Sequence, residues 1–196
     1  GIERTYTRPD GVEVHVDAGD GTYGWNVDGS TLADMIANQI MNGSNSAIEV
    51  PFLQRGAVFV KGGQDWPNRY VDVDLSAQHV VLWDNNQSIW SSDCVSGNTG
   101  NGHGTPTGVF FVESKASPMV LIGLDENHDG EPDYRTPVDF WMPFYDGCGL
   151  HDATWRGSFG GSIYTYDGSH GCVNLPYGAA SELYGLLSEG DVVVEI

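Results

Sequence analysis

Apolar and polar side chains alternate along most of the chain, which predicts short β-strands rather than long helices. The alternating stretches are residues 12–16, 71–75, 80–82 and 109–111. Turn-forming Gly, Asn and Pro separate them, above all in residues 97–104 and 125–133. Residues 191–196 predict a closing strand. We therefore expect β-structure through most of the chain.

Two segments instead show the period of an amphipathic helix. In the first, the apolar residues of 32–40 fall on one face, and Gly43 lies just past the expected end. Thr31 and Asp34 have the spacing of a capping box, which predicts that this helix begins at Thr31. A strand around residues 48–53 is expected after it.

The second helical segment follows Pro176, which fits the first position of a helix. Ala180, Leu183 and Leu187 then share one helical face. Strands throughout the chain and one helix near its end predict a mainly β fold. We expect a β-sandwich with one late helix, preceded by a small α+β domain.

The segment 61–67, which contains two Gly and one Pro, interrupts the periodic pattern and marks a joint between domains. We therefore divide the chain into a small α+β domain at residues 1–56, a linker at 57–68 and a β-sandwich domain at 69–196. No internal repeat or low-complexity tract changes this division.

Composition and charge exclude several classes of protein. The chain has 196 residues, of which 40% are apolar, enough for a buried core. Its formal net charge is −19, from 27 acidic and 8 basic residues, so no basic stripe exists that would bind nucleic acid or an anionic membrane. No apolar stretch approaches the ~20 residues that span a bilayer. We expect any export signal or membrane anchor to lie upstream of residue 1.

The three cysteines are Cys94, Cys148 and Cys172. No two of them form a C-x-x-C pair, which excludes zinc ribbons and thioredoxin-type redox motifs. Their odd number fits either one disulfide with one free thiol or three reduced thiols.

The candidate chemistry centres on Cys172, within the run Ser169–Asn174. A cysteine nucleophile needs thiolate character, a nearby base and an accessible position. Here a hydroxyl, an imidazole and a glycine precede the thiol directly, and the glycine permits a tight backbone whose N–H groups can face a reacting carbonyl. A second histidine, His151, lies at an expected strand end. Taken alone, each motif would also fit a structural cysteine or histidine.

Together, His151 and the run Ser-His-Gly-Cys-Val-Asn at 169–174 resemble the signature of the L,D-transpeptidase catalytic domain, the YkuD-type fold. The resemblance covers about residues 69–196. Further segments similar to this family are residues 95–97, 105–109, 134–139 and 175–176. Residues 1–56, with Tyr-Gly-Trp at 23–25, resemble a truncated form of the small peptidoglycan-binding-type domain that precedes some Gram-positive members.

The resemblance implies a role for each residue of the motif. Cys172 would be the nucleophile and His151 its base. His170 would support the site, or serve as the base in a second interpretation. Ser169 and the carbonyl of Gly171 are candidates to orient a ring N–H. The backbone N–H groups of Cys172 and Gly171 are candidates for the oxyanion site.

Four more residues are expected to bind or shape the substrate. Tyr134 would contact the donor from the region over the cleft, and Trp155, Arg156 and Asn174 would shape the site. For Arg156, a purely structural ion pair is an equal alternative. Asp152 is not assigned as a triad acid, because side chains of adjacent residues usually diverge.

The resemblance implies acyl transfer on peptidoglycan, with tetrapeptide stems as donor and acceptor. Cys172 would attack the carbonyl between the third stem residue and the terminal D-Ala, which would leave. An amine on the third residue of another stem would then resolve the thioester into a 3→3 cross-link. An L,D-carboxypeptidase, with water as acceptor, would use the same residues. A non-catalytic wall-binding protein on the same scaffold is the alternative from another class.

Three further expectations follow from the family. Carbapenem-type β-lactams would acylate Cys172. The reaction would require neither a metal nor an organic cofactor. The protein would act outside the cytoplasm, in the cell wall or anchored to the membrane, in the synthesis of peptidoglycan.

Residues 125–133 also have the oxygen-ligand spacing of a calcium loop. Asp125, Asn127 and Asp129 would supply ligands at positions 1, 3 and 5, and Asp133 at position 9. Position 12 is Thr136 rather than the bidentate Glu, so an ordinary acidic turn is the alternative.

A disulfide between Cys94 and Cys148 is a further hypothesis, since it would leave Cys172 free in an oxidising exterior. Two buried free thiols are the alternative. His103, between two glycines, is expected to be a solvated loop residue.

Overall fold

The computed structural model describes residues 2–54, 60–125 and 128–196. Its strands are β1 (Arg4–Thr7), β2 (Glu13–Val16), β3 (Asn26–Val27), β4 (Phe52–Gln54), β5 (Tyr70–Asp74), β6 (His79–Asp84), β7 (Gln87–Asp93), β8 (Gly108–Phe111), β9 (Met119–Ile122), β10 (Arg135–Val138), β11 (Trp141–Tyr145), β12 (Cys148–Asp152), β13 (Val173–Leu175) and β14 (Val192–Glu195). Its helices are α1 (Gly29–Met41), α2 (Tyr164–Asp167) and α3 (Tyr177–Leu186), with one 3₁₀ turn at Thr99–Asn101.

The fold is built mainly from two β-sheets. The larger has the strand order β7-β6-β5-β14-β8, in which β14 is parallel to β5 and antiparallel to β8. The smaller has the order β11-β12-β13, and its last pair is parallel. Buried side chains from both sheets and from α3 share one core, so the sheets face each other as in a β-sandwich. The predicted mainly β architecture is confirmed.

Alternation along β14 shows how the larger sheet is covered on both faces. Val193 points into the core between the sheets, whereas Val192 and Val194 point to the opposite face. There they meet the hairpin β1–β2, whose Val14 and Val16 are buried with them. Covering both faces explains why this central strand is an almost continuous run of valines.

A buried ion pair holds the first strand to the segment before β5. The Arg4 guanidinium donates to both carboxylate oxygens of Asp65, at 2.8 and 3.1 Å, and both side chains are almost fully buried. Trp66 lies next to this pair, with the Arg4 charge 5.8 Å from its ring centroid. The hairpin is therefore held to the segment before β5 by specific polar contacts, in addition to its apolar packing on the larger sheet.

Several predicted element boundaries are corrected by the structure. Helix α1 begins at Gly29 rather than at Thr31, because the Asp28 carboxylate accepts the N–H of Thr31 at 3.0 Å and caps the helix one turn earlier. The strand expected at residues 48–53 is the short β4. Pro176 precedes α3 as its N-cap instead of occupying its first position.

The expected late helix is confirmed, with Ala180 and Leu183 buried on its inner face. The helix packs against β12 of the smaller sheet. Part of the proposed linker, residues 57–59, lies outside the described residues, and the domain division stays a prediction. Within the described part of the chain, no helix is long and apolar enough to cross a membrane.

Glu195 is an unusual feature of the core, because its side chain is fully buried at the end of β14. Neither carboxylate oxygen has a hydrogen-bond partner among the described residues. Burial raises the pKa of Glu195 well above its ordinary value, with a further rise from the nearby Asp72 charge. The folded protein therefore keeps this carboxyl protonated where the unfolded chain would ionise it.

We expect the substitution Glu195→Gln to change how stability depends on pH. Between about pH 4.3, the ordinary pKa of Glu, and the raised pKa of the folded state, protonation of only the folded state lowers the free energy of unfolding by about 1.4 kcal/mol per pH unit. Glutamine removes this contribution, so the stability of the variant relative to wild type should rise with pH. Urea unfolding between about pH 5 and pH 7 measures the difference, and parallel stability curves would contradict the assignment.

Candidate active site

The parallel pairing of β12 with β13 brings the two predicted motifs together. Its register places His151 opposite Asn174, two residues beyond Cys172. His151 and Cys172 border the same cavity, whose volume is about 260 Å³. The other predicted residues that line it are Tyr134, Trp155, Arg156, Ser169, His170 and Asn174. Leu121 and Gly168, which the sequence did not suggest, also line it, as does Thr136 of the segment 134–139.

Cys172 is nearly buried at this cavity, with 9% of its surface exposed. It packs against Val138 and Trp141, and its Sγ lies 3.7 Å from the carbonyl oxygen of Gly147. Burial raises the pKa of the Cys172 thiol to about 11, although a hydrogen bond from the Gly149 N–H opposes the rise. At neutral pH the resting thiol is therefore protonated, and it needs a base to become a nucleophile.

His151 has the orientation of such a base. Its Nδ1 lies 2.7 Å from the backbone carbonyl of Asp152. A carbonyl oxygen only accepts, so Nδ1 carries the proton and Nε2 carries the lone pair in the neutral ring. Burial lowers the pKa of His151, although the contacts with Asp152 oppose the change. The neutral imidazole is therefore the resting form at pH 7.

The acceptor that orients the His151 ring N–H is thus Asp152, and not Ser169 or Gly171 as the sequence suggested. The Ser169 hydroxyl instead donates to the Cys172 carbonyl at 2.6 Å and accepts the Gly171 N–H at 3.0 Å. The Gly171 carbonyl accepts from the Thr105 hydroxyl at 2.8 Å. These bonds fix the turn that presents the thiol.

The same turn corrects part of the predicted oxyanion site. The N–H of Gly171 is already used by Ser169, so only the Cys172 N–H stays a candidate. Gly171 has a φ of +118°, a conformation that other residues rarely adopt. A Cβ at this position would also lie 2.7 Å from the Cys148 Sγ. The glycine is therefore required both by backbone conformation and by space.

His170 is held in a stack of rings at the edge of the cavity. Its ring centroid lies 4.6 Å from that of His103 and 5.1 Å from that of Tyr134. His103, expected as a solvated loop residue, is half-buried and is a neighbour of the site that the sequence missed. Its loop reaches the site because the Asn98 N–H donates to the Ser169 carbonyl at 2.8 Å.

Arg156 is compatible with both of the roles considered for it. It lines the cavity, and its Nη1 also donates to the carbonyl and the carboxylate of Asp167, at 2.6 and 3.2 Å. Asn174 lines the same cavity with a side-chain oxygen that is buried and has no partner among the described residues. The Asp152 carboxylate accepts the N–H groups of Asp139 and Phe140, which is a structural role and not that of a triad acid.

The predicted disulfide between Cys94 and Cys148 is absent, and the described chain contains three free cysteines. Cys94 is fully buried in the main core, whereas Cys148 lies against Gly171 at the cysteine motif. The strand register thus brings Cys148 close to Cys172, a proximity that spacing along the sequence could not reveal.

The proposed calcium loop forms a turn around Asp125. Its carboxylate accepts the N–H groups of Asp129 and Gly130 at 2.9 and 2.8 Å. Asn127 lies outside the described residues, and no group of three or more His, Cys, Asp or Glu among the described residues could hold a metal ion. Calcium binding at Asp125, Asp129 and Asp133 stays a prediction.

The model of the L,D-transpeptidase catalytic domain family, YkuD, matches residues 68–196. Among solved structures, a mutant of Enterococcus faecium L,D-transpeptidase is 29% identical with a TM-score of 0.76, over 99% of this chain and 74% of that one. The catalytic domain of E. faecium L,D-transpeptidase acylated by ertapenem is 35% identical with a TM-score of 0.59, over 68% of this chain and 100% of that one.

A Mycobacterium smegmatis L,D-transpeptidase is 22% identical with a TM-score of 0.56, over 75% of this chain and 71% of that one, and supports the fold alone. No curated protein matches the chain. The comparisons do not show that the fragment before this domain is of the peptidoglycan-binding type, which stays a prediction. From the family match and the identity over the catalytic domain, we conclude that this chain belongs to the L,D-transpeptidase family of acyltransferases.

Proposed function

We propose that the protein is a cysteine L,D-transpeptidase that joins tetrapeptide stems of peptidoglycan by 3→3 cross-links. One observation carries the proposal: a neutral, buried His151 with its lone pair on Nε2 borders the same cavity as the protonated Cys172 thiol. A protonated thiol and a neutral imidazole form the pair that starts general-base catalysis.

Acylation would begin when Nε2 of His151 takes the proton of the Cys172 thiol. The sulfur attacks the carbonyl between the third stem residue and the terminal D-Ala, and the carbonyl oxygen takes up the negative charge. The Cys172 N–H would donate to that oxygen. The C–N bond then breaks, the imidazolium gives its proton to the departing amine of D-Ala, and a thioester remains.

Deacylation would reverse these roles with a second stem. The amine of its third residue attacks the thioester carbonyl, and His151 takes the proton that this amine loses. The C–S bond breaks, and the sulfur regains a proton from the imidazolium. Because His151 is neutral again before each attack, its depressed pKa serves both halves of the reaction.

The cavity walls fit a peptide substrate. The unpartnered side-chain oxygen of Asn174 is an acceptor for a substrate N–H, and Arg156 offers positive charge to a carboxylate. Tyr134 and the half-exposed Trp155 supply apolar surface on either side. We assign these four residues to substrate binding rather than to proton transfer.

The proposed inhibitors and location follow from the same chemistry. The acylation of the E. faecium catalytic domain by ertapenem supports covalent capture of carbapenems by Cys172. None of the proposed steps uses a metal or an organic cofactor. Peptidoglycan is assembled outside the cytoplasmic membrane, so we propose that the protein acts outside the cytoplasm, in the cell wall or anchored to the membrane.

Incubation with a disaccharide-tetrapeptide should give a cross-linked dimer and one D-Ala per bond formed, measured by liquid chromatography and mass spectrometry. The Cys172→Ala variant should give neither product, because no thioester can form. A disaccharide-tripeptide alone would instead identify an L,D-carboxypeptidase. Binding without any turnover would support the wall-binding alternative.

We expect His151→Gln to slow acylation by ertapenem about 10²- to 10⁴-fold at neutral pH, because the base is lost. In wild type, the rate should fall only as the pH drops below the ordinary His value of about 6.5, since burial lowers the pKa of His151. In the variant, the rate should rise with pH toward about 11, the pKa of the Cys172 thiol.

The control for this experiment is His79→Gln, which removes an exposed histidine on the outer part of the larger sheet. Its acylation rate and pH profile should match those of wild type. A wild-type profile in His151→Gln as well would show that another group is the base, with His170 the next candidate.

A further inference from the structure

Cys148 carries a second thiol beside the cysteine motif, and the proposed transpeptidation gives this thiol no role. The sulfur of Cys172 lies against both neighbours of Cys148 along β12: it is 3.7 Å from the Gly147 carbonyl oxygen and accepts from the Gly149 N–H. The nucleophile is therefore seated on the backbone of the strand end that carries the second thiol.

The sulfur of Cys148 in turn lies against the residue before the nucleophile. A Cβ built on Gly171 would be 2.7 Å from it, so only a glycine leaves room for this thiol. A charge on Cys172 also raises the pKa of Cys148, which places the two sulfurs within electrostatic range of each other.

The strand register brings the two cysteines to the same end of the β12–β13 pair. Leu150 pairs with Val173, the first residue of β13. Cys148 lies two residues before Leu150, and Cys172 directly precedes Val173. The turn at Gly171, whose φ is +118°, then seats the Cys172 sulfur beside the backbone on either side of Cys148.

The third cysteine lacks this relation. Cys94 is fully buried among the apolar side chains of the main core and is not among the residues that line the cavity. Burial raises the pKa of its thiol beyond the ordinary range, and its charge would be further opposed by Glu195. Cys148 is half-buried, and it borders the motif itself.

We propose that Cys148 is a resolving thiol, which captures the oxidised form of Cys172 in a reversible disulfide. The oxidant is a hydroperoxide such as hydrogen peroxide. The Cys172 thiolate attacks one peroxide oxygen, the O–O bond breaks, hydroxide leaves, and the sulfur becomes a sulfenic acid. The Cys148 thiolate then attacks that sulfur, an S–S bond forms, and the departing hydroxyl takes a proton to leave as water.

This modification protects the nucleophile from irreversible oxidation. Without a resolving thiol, a sulfenic acid can be oxidised further to a sulfinic acid, which reductants do not reverse. The reaction depends on the thiolate of Cys148, whose pKa burial raises to about 12. Disulfide formation should therefore accelerate with rising pH over the neutral and alkaline range.

The test treats wild type, Cys148→Ser and Cys94→Ser with hydrogen peroxide in the presence of dimedone, which traps sulfenic acids, and follows intact mass. Wild type should lose about 2 Da, the mass of two hydrogens, and peptide mapping should link Cys148 to Cys172. Cys148→Ser should instead carry dimedone or gain about 32 Da as a sulfinic acid. Cys94→Ser, the matched control, should behave as wild type does.

Recovery after reduction gives a second readout. Phosphine treatment should restore ertapenem acylation to oxidised wild type and Cys94→Ser, but not to Cys148→Ser oxidised without dimedone. Equal dimedone labelling of wild type and Cys148→Ser, or a disulfide that uses Cys94, would overturn the proposal. The proposed transpeptidase function is tested separately, because failure of untreated wild type to react with ertapenem would leave the peptide-mapping result intact.

Discussion

The parallel pairing of β12 with β13 is the constraint on which this site depends. It sets His151 opposite Asn174 and thereby carries the base and the nucleophile, which lie on separate chain segments, to one cavity. A slip of one residue would turn His151 to the other face of the strand. The buried side chains of Leu150 and Val173, which pair in the same ladder, hold the register through the core.

Burial favours the uncharged forms of both the Cys172 thiol and the His151 imidazole. It raises the pKa of the Cys172 thiol and lowers the pKa of the His151 imidazole, so the resting pair is neutral. A neutral pair costs little to keep in a buried position, and in the proposed mechanism charge develops only while a substrate is bound. The hydrogen bond from His151 to the Asp152 carbonyl selects the tautomer without placing a buried carboxylate beside the ring.

The sequence was sufficient to predict the architecture and most of the residues that line the cavity. Alternation predicted the strands, and the run Ser169–Asn174 with His151 identified the residues that border the cavity. Hydrogen bonds between residues that are neighbours only in the fold could not be predicted from the sequence. The tautomer of His151 depends on a side-chain rotamer, and the stack of His103 on His170 depends on a loop docked from far along the chain. Spacing along the sequence left a Cys94–Cys148 disulfide and free thiols as alternatives, because strand register decides which thiols approach each other; the structure has free thiols.

Cys172 is the residue that becomes acylated in the proposed mechanism. Intact-mass analysis after mixing with ertapenem tests this claim most directly. Wild type should gain the mass of one ertapenem, located by peptide mapping on Cys172, and Cys148→Ser should gain the same mass. Cys172→Ala should gain nothing while retaining the wild-type circular dichroism spectrum. A covalent adduct that persists in folded Cys172→Ala would contradict the account.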